Sequence, residues 1–163
     1  AAAFGFHMLA YDPYLPEEVI ASKGAEKVEL DELYARSDVI SIHTPLFDST
    51  YHLINKDSIK KMKNGVIIVN TSRGPIIDLD DLLEALKTDK IKTAALDVLE
   101  TEPNVDTEKI FENKDKIIVT PHTAYNSVEA ENQMMEVLAK TAVDVLNGKN
   151  PDNIVNKKAL GLA

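Results

Sequence analysis

The sequence contains no cysteine among its 163 residues, which excludes a disulfide framework and a thiolate metal site. A chain without thiols fits a reducing compartment, and we expect a cytoplasmic location. Basic residues are also in the minority, because 18 lysines and arginines stand against 27 aspartates and glutamates, for a formal charge of −9. This balance argues against nucleic acid as a partner. No apolar run approaches the roughly 18 residues of a membrane span, so we expect no membrane partner.

Motifs for two common kinds of chemistry are missing as well. No pair of histidines has the spacing of metal ligands, and we therefore predict no metal site. The chain has no Gly-x-Ser-x-Gly elbow and no cysteine, which leaves no nucleophile motif. The composition that remains, with 44% hydrophobic and 28% charged residues, is ordinary for a globular domain. The length fits one domain, or most of one.

Strand-like apolar runs alternate with helical patterns along the whole chain. This alternation predicts an α/β fold with a doubly wound, mostly parallel sheet. The strands are expected at residues 6–11, 28–30, 38–43, 66–70, 93–98 and 116–120. Helices are expected at 16–22 and at 127–147. Three more are expected to follow capping residues: Asp31 caps a helix that ends at residue 36, Asn55 caps one that ends at residue 62, and Asp78 caps one that ends at residue 88. We expect the last helix to bury Met134, Leu138 and Val145.

Three predicted strands end in residues that can carry chemistry. Arg73 follows the strand at 66–70, Asp97 ends the next strand, and His122 follows the last one. The carboxyl ends of parallel strands face the crevice where open α/β sheets bind ligands. Arg73 can grip a carboxylate through two parallel hydrogen bonds, and His122 can exchange a proton near neutral pH. Glu102, in the turn before the last strand, can orient the His122 ring.

Each of these residues also has a simpler interpretation, and the alternatives stay open at this point. Arg73 can pair with a helix on the surface, His122 can bond a turn carbonyl, and Glu102 can be a solvated loop residue. Asp97 follows small and apolar residues, where a charge is costly unless it is paired or functional. Asp12, after the first strand, either bonds the hydroxyls of an adenosine ribose or belongs to an ordinary turn.

The other histidines are weaker candidates. His7 lies inside a predicted strand and is interpreted as structural. His43 ends a strand and can line a cofactor cleft. His52 is interpreted as a surface or packing residue.

Three sequence motifs together favour the functional interpretation of these residues. They are VIIVNTSRGP at 66–75, ALDVLETEP at 95–103 and VTPHTAY at 119–125. They resemble the D-isomer-specific 2-hydroxyacid dehydrogenases, and the resemblance extends from Phe4 to about Val155. The branch indicated is that of the NAD-dependent D-lactate and D-2-hydroxyisocaproate dehydrogenases. The HTAY ending favours this branch over the phosphoglycerate dehydrogenases.

The resemblance implies an activity and a set of functions for the residues. Arg73 matches the arginine that binds the carboxylate of a 2-oxo acid, and His122 matches the histidine that gives the carbonyl oxygen its proton. Glu102 matches the partner that keeps this histidine protonated. NAD is the implied cofactor, and a homodimer is the implied assembly of the full-length enzyme. The positions that match cofactor-lining residues are Asp12, His43, Thr44, Pro45, Thr50, Thr71, Ser72, Arg73 and Asp97.

One departure from the family pattern concerns the glycine-rich loop. The family's Gly-x-Gly-x-x-Gly loop, expected just before Ala1, is absent, as are the strand before it and the substrate domain. We therefore expect a carboxy-terminal fragment, with residues 1–148 as a partial NAD-binding domain and 149–163 as a tail that reaches the substrate domain. We expect the isolated fragment to be inactive.

Two alternatives of other classes remain. Some transcriptional corepressors resemble these dehydrogenases, bind NAD(H) and keep similar arginine, glutamate and histidine residues. The charge of −9 favours a metabolic enzyme over a corepressor. A regulatory fragment that only pairs with a dehydrogenase subunit is the other alternative.

Overall fold

A computed structural model describes residues 2–102 and 107–161 of the chain. Two compact units are present, Ala1–Ala124 and Tyr125–Ala163. The boundary expected at residue 148 separates a partial NAD-binding domain from a tail that reaches the substrate domain of a longer protein. This boundary stays a prediction. The strands of the first unit are β1 Leu9–Ala10, β2 Glu26–Lys27, β3 Val39–Ile42, β4 Val66–Asn70, β5 Ile91–Leu96 and β6 Ile117–Val119. Its helices are α1 Glu17–Ser22, α2 Leu30–Arg36, α3 Lys56–Lys61, α4 Leu79–Lys87 and α5 Thr107–Phe111.

The strands pair in parallel, as the alternating pattern predicts. One sheet has the order β3-β4-β5-β6, and β1 pairs with β2 in a second, two-stranded sheet. Ile68 at the centre of β4 lies opposite Ile40 of β3 and Ala94 of β5. The prediction of a mostly parallel α/β fold is confirmed.

The core of the first unit lies around β4. Val66 and Ile68 are fully buried, and so are Leu82 and Leu86 of α4. These two leucines are four residues apart, so they share one helix face. The packing of α4 against the sheet fixes the loop that connects β4 to this helix.

Local capping signals position two helices correctly. The Asn55 side chain accepts hydrogen bonds from the amides of Asp57 and Ser58, and the Ser58 hydroxyl closes the reciprocal bond to the Asn55 amide. Asp78 caps α4 by accepting from the Asp81 amide at 3.0 Å. Each side chain satisfies a backbone donor that the first helical turn leaves free.

The prediction around residues 28–31 is wrong. The second strand is Glu26–Lys27, and Leu30 is already the first residue of α2. The register with β1 ends the pairing early, because the Val28 amide donates to the Ala10 carbonyl and the ladder stops there. Asp31 consequently lies inside the first helical turn, and Glu29 takes the capping position without a side-chain bond.

His7 lies outside the first strand, which begins only at Leu9. Its side chain is exposed, and its Nε2 lies 2.8 Å from the Glu26 carboxylate. The expectation of a structural histidine inside a strand is therefore wrong. Only two residues of the run at 6–11 find a partner strand, and the remainder stays irregular.

The second unit contains α6, Val128–Leu146, which Ser127 caps through the Ala130 amide. The helix is confirmed, but its expected buried face is not. Met134, Leu138 and Val145 are 56%, 62% and 56% exposed. An apolar stripe predicts a helix without specifying what covers it. Within the described ranges, no helix combines the length and the apolar character that crossing a membrane requires.

Candidate active site

The candidate residues follow the carboxyl ends of adjacent strands of the four-stranded sheet. His43 follows β3, Arg73 follows β4 after a two-residue interval, and Asp97 comes directly after β5. His122 stands three residues beyond β6. Because the strands are parallel, these ends lie at the same edge of the sheet, where ligands bind in open α/β folds.

The Arg73 turn takes its shape from Asn70, the fully buried last residue of β4. The Asn70 amide donates to the Arg73 carbonyl at 3.0 Å. Its oxygen accepts from the amide and the hydroxyl of Ser72, at 3.0 and 2.9 Å. A buried amide with both ends satisfied fixes the turn rigidly. In the sequence, Asn70, Ser72, Gly74 and Pro75 together indicate a sharp turn, but the organising function of Asn70 was missed.

The Arg73 guanidinium has room for a ligand. Its Nη1 donates to the Ser72 carbonyl at 2.7 Å, which holds the side chain near its own turn. No carboxylate of residues 2–102 or 107–161 lies within ion-pair distance of it. The interpretation of Arg73 as a surface arginine paired to a helix therefore finds no support in the described part of the chain.

Glu102 and His122 contact each other directly. The His122 Nδ1 lies 2.8 Å from Glu102 Oε2, and Glu102 Oε1 accepts from the Leu99 amide at 2.7 Å. Burial opposes ionisation of Glu102, but the Leu99 amide and His122 outweigh it, so the pKa of this carboxyl lies below its ordinary value. Glu102 thus remains a carboxylate beside the ring near neutral pH.

The opposite nitrogen of the His122 ring, Nε2, has no hydrogen-bond partner among the described residues. His122 has a backbone φ of 54°, in the left-handed region that non-glycine residues seldom adopt. Its amide donates to the Asp97 carbonyl at 2.9 Å. The backbone conformation at His122 therefore directs Nδ1 of the ring to Glu102 and leaves Nε2 available to a ligand.

Asp97 holds this turn in place. It is only 5% exposed, and its carboxylate accepts hydrogen bonds from the Thr120 hydroxyl and from the amides of Thr123 and Ala124. Burial opposes its ionisation, but the Thr120 hydroxyl and then the two amides outweigh burial and lower the pKa of Asp97 below its ordinary value. The charge expected to be costly is satisfied by the residues on both sides of His122. Its expected contact with a cofactor stays a prediction.

A cavity of about 530 Å³ opens between the ends of β3 and β4. The predicted cofactor residues that line it are His43, Thr44, Pro45, Ser72 and Arg73, and Leu46 completes the lining. Thr50 shapes this loop from the side, because its hydroxyl donates to the Pro45 carbonyl and accepts from the Phe47 amide, both at 2.8 Å. Five predicted cofactor positions therefore lie around one cavity.

Four predicted cofactor residues lie outside this cavity lining: Thr50 and Asp97, described above, and Asp12 and Thr71. Asp12 Oδ1 accepts from the Tyr14 amide at 2.8 Å, which is the ordinary turn that the sequence left as an alternative. Oδ2 of Asp12 has no partner among the described residues. Thr71 is exposed between Asn70 and Ser72.

Two residues near the site were missed from the sequence, Gly74 and Glu100. A Cβ atom on Gly74 would stand 1.9 Å from the Leu99 carbonyl oxygen. Glu100 accepts a hydrogen bond from the Leu79 amide and lies 2.6 Å from the His52 ring. Gly74 was recognised only as a turn residue, and no local signal indicated which segment packs against it. In the described ranges, no group of three or more potential ligand side chains is arranged for a metal ion.

Known proteins match the chain over most of its length. Residues 1–124 match the family model described as D-isomer specific 2-hydroxyacid dehydrogenase, NAD binding domain. D-3-phosphoglycerate dehydrogenase of Methanocaldococcus jannaschii is 43% identical over 96% of this chain and 30% of its own length. Hydroxypyruvate reductase of Blautia hydrogenotrophica is 41% identical over 96% of this chain and 48% of its own length.

Solved structures agree with these sequences. D-lactate dehydrogenase of Aquifex aeolicus, solved with NAD and lactic acid, has a TM-score of 0.83 and 35% identity, covering 90% of this chain and 48% of that chain. The chain thus spans less than half the length of the relatives described here. A sequence match through three quarters of the chain and a shared architecture make it a member of the D-isomer specific 2-hydroxyacid dehydrogenase family, within the NAD-binding domain of that family.

Proposed function

We propose that this chain supplies the NAD site and the catalytic groups of an oxidoreductase that acts, as part of a longer enzyme, on a small D-2-hydroxy acid or 2-oxo acid such as lactate or pyruvate. The observation that carries the proposal is the Glu102–His122 pair, whose 2.8 Å contact leaves the second ring nitrogen open at the edge of the sheet where Arg73 lies. Reduction of a 2-oxo acid needs a proton donor and a group that binds the carboxylate. The imidazole paired with a carboxylate can be the first, and the guanidinium can be the second.

The residues fit the cofactor that the family implies. A cavity of about 530 Å³ lies in the size range of small-molecule sites, about 300–1,000 Å³. Thr44 and Ser72 offer hydroxyls, and Pro45 offers an apolar surface to a ring. At the end of β1, the free oxygen of Asp12 can accept from a ribose hydroxyl and would repel a 2′-phosphate, which favours NAD over NADP. When bound, NADH supplies the hydride.

The side chains of the protein supply binding and the proton. Arg73 binds the substrate carboxylate through its planar guanidinium. His122 donates a proton from Nε2 to the carbonyl oxygen as that oxygen gains charge. Glu102 holds Nδ1 and stabilises the positive ring before the transfer. In the direction of oxidation, the same ring removes the proton from the hydroxyl.

An assay of NADH oxidation tests the proposal on the protein at its natural full length. The panel is pyruvate, hydroxypyruvate, glyoxylate and a branched 2-oxo acid, and turnover of at least one of them is expected. Tight binding of NADH without turnover of any acid would contradict the proposal and favour an NAD(H)-binding protein of the corepressor kind. NADPH in place of NADH should give a far higher KM because of Asp12.

We also propose a homodimer and a cytoplasmic location for the full-length enzyme. The family resemblance supports the first, and the absence of cysteine together with the acidic composition agrees with the second. Sedimentation equilibrium gives the assembly state, and fractionation of cells gives the location. A monomeric active enzyme, or activity recovered only with membranes, would contradict these two points.

A further inference from the structure

His52 lies in a contact network that the proposed mechanism does not use. Its Nε2 lies 2.6 Å from Glu100 Oε1, and its Nδ1 lies 3.3 Å from Asp78 Oδ2. The His52 side chain is 25% exposed, and those of Asp78 and Glu100 are 29% and 24% exposed. The ring of Tyr51 stacks on the imidazole at 4.0 Å with an interplanar angle of 17°. This is a built arrangement rather than a surface histidine.

The two carboxylates that flank His52 also hold the start of α4. Glu100 Oε2 accepts from the Leu79 amide at 3.1 Å, and Asp78 Oδ1 accepts from the Asp81 amide at 3.0 Å. A carboxylate only accepts hydrogen bonds, so the Nε2 of His52 is the donor in its bond to Glu100. Both oxygens of Glu100 are therefore engaged, one by α4 and one by His52.

The backbone of His52 reaches the turn that carries Arg73. The His52 amide donates to the Pro75 carbonyl at 2.9 Å, and the His52 carbonyl accepts from the Asn55 side chain at 2.8 Å. Its φ of 47° is in the left-handed region, so these bonds hold it in a conformation that is otherwise rare for histidine. One residue thus contacts the Arg73 loop through its main chain and Glu100 through its ring.

The segment that Glu100 anchors carries the carboxylate of the acid pair. The Leu99 amide, directly before Glu100, donates to Glu102 Oε1 at 2.7 Å. Glu102 Oε2 then contacts His122 Nδ1 at 2.8 Å. A shift of Glu100 moves the Leu99 amide, and the Glu102 side chain loses the bond that directs it toward His122.

We propose that His52 is a positioning residue of the active site. Its ring fixes Glu100, and through Glu100 the segment 97–102, so that Glu102 meets His122. Its amide fixes the loop of Arg73 at the same time. The inference rests on the proposed function, because it assigns His52 to the two segments that carry that function's acid pair and carboxylate clamp.

The kinetic test compares His52→Ala with His52→Gln in the full-length protein. Removing the ring should lower kcat with the best 2-oxo acid by about 10- to 100-fold, the loss expected when catalytic groups are misplaced by about 1 Å. Glutamine keeps a donor at the end of its side chain and should restore most of that loss. The KM for NADH should stay unchanged. Equal losses in the two variants, or a loss confined to the KM for NADH, would overturn the proposal.

A double-mutant cycle with Glu100→Gln isolates the contact. If His52 acts through Glu100, the effects of His52→Ala and Glu100→Gln on kcat are strongly non-additive. Additive effects would mean that His52 acts by another route, and the proposal would fail. His7→Ala is the matched control, because His7 also contacts a glutamate but has a side chain that is 71% exposed.

Hydrogen exchange at the Leu99 amide decides the inference even if no 2-oxo acid is turned over. This amide is held by the Glu102 carboxylate, so His52→Ala should speed its exchange and His52→Gln should not. The Ile67 amide, which donates to the Asp38 carbonyl, reports general loosening and should stay unchanged. Unchanged exchange at Leu99 in His52→Ala overturns the positioning function, whereas absence of turnover in the unaltered protein overturns only the proposed function.

Discussion

Gly74 lies directly against the backbone at Leu99. A Cβ atom on Gly74 would stand 1.9 Å from the Leu99 carbonyl oxygen and 2.6 Å from the Glu100 amide nitrogen. The turn that follows β4 and the segment that follows β5 therefore meet backbone to backbone. Because Arg73 precedes Gly74 and Glu102 lies three residues after Leu99, this contact sets the separation between the proposed clamp and the proposed acid pair.

Gly74→Ala should destabilise the protein and impair turnover together. The new methyl group meets backbone atoms, which cannot rotate away, so one segment must move. Overpacking of this kind costs about 1–3 kcal/mol of the free energy of unfolding, and sometimes more. Urea unfolding measures the stability, and the kcat with a 2-oxo acid measures the displacement of Arg73 from Glu102.

Gly65→Ala is the matched control for this variant. Gly65 has a φ of 78° with nothing within 4 Å of its Cβ position, so alanine there introduces strain without a clash. A cost of roughly 1–2 kcal/mol is expected from the left-handed backbone alone. Full activity in the folded Gly65→Ala protein, with reduced activity in Gly74→Ala, would assign the loss to the contact with Leu99. Full activity in both would contradict it.

The elements that sequence reasoning placed correctly depend on local signals. Asn55 and Asp78 cap helices through amides two or three residues away, and β4 stands out because its apolar residues are contiguous. The end of β4 also placed Arg73, and the ends of the next strands placed His122. For these residues, a short stretch of chain contains the physical cause of its own structure.

The elements that were misjudged depend on distant partners. His52 was interpreted only as a surface or packing residue because Glu100, its partner, stands 48 residues further along the chain. The strand expected at residues 28–30 failed because the register with β1 ends the pairing at Lys27. Asp97 was recognised as unusual, but the donors that satisfy it come from residues 120–124 beyond β6. Pairing register and side-chain partners of this kind are fixed by tertiary packing.

Asp97→Asn should destabilise the protein near neutral pH and less so in acid. Asparagine cannot accept all the hydrogen bonds that the carboxylate accepts, and a buried donor without a partner costs about 1–3 kcal/mol. The folded-state pKa of Asp97 lies below its ordinary value of 3.8, so the stabilisation is present above that pH and is lost as the pH falls through the folded-state pKa. Urea unfolding at a series of pH values from neutral to below 3.8 measures the difference between the two proteins.

Asp38→Asn serves as the control for this pH series. Asp38 pairs with Lys63, and its side chain is 84% exposed, so the pair contributes little to the free energy of unfolding. The gap between Asp97→Asn and the unaltered protein should narrow as the pH falls below 3.8, while Asp38→Asn should follow the unaltered protein throughout. A gap for Asp97→Asn that stays constant down to strong acid would show that its charge carries none of the effect.

His122→Gln should remove most of the turnover and leave the binding of NADH intact. General acid catalysis contributes about 10²–10⁴-fold, and glutamine keeps a hydrogen bond without a transferable proton. Steady-state kinetics gives the kcat, and fluorescence titration gives the Kd for NADH. His7→Gln, on the exposed contact with Glu26, should match the unaltered enzyme. A kcat equal to that of the His7→Gln control would show that His122 is not the general acid.

Arg73→Lys tests the carboxylate clamp while keeping the charge. Lysine offers a point charge where the guanidinium offers two parallel donors, so one hydrogen bond to a charged group is lost. Such a bond is worth about 1.5–3 kcal/mol, which corresponds to a KM for the 2-oxo acid that is about 10- to 100-fold higher. The matched control is Arg36→Lys, because Arg36 pairs with Glu26 and Glu32 on the surface. Lysine keeps the positive charge, so a rise in KM in Arg73→Lys but not in Arg36→Lys would identify the two parallel donors of the guanidinium as the source of affinity. An unchanged KM in Arg73→Lys would mean that another residue binds the substrate carboxylate.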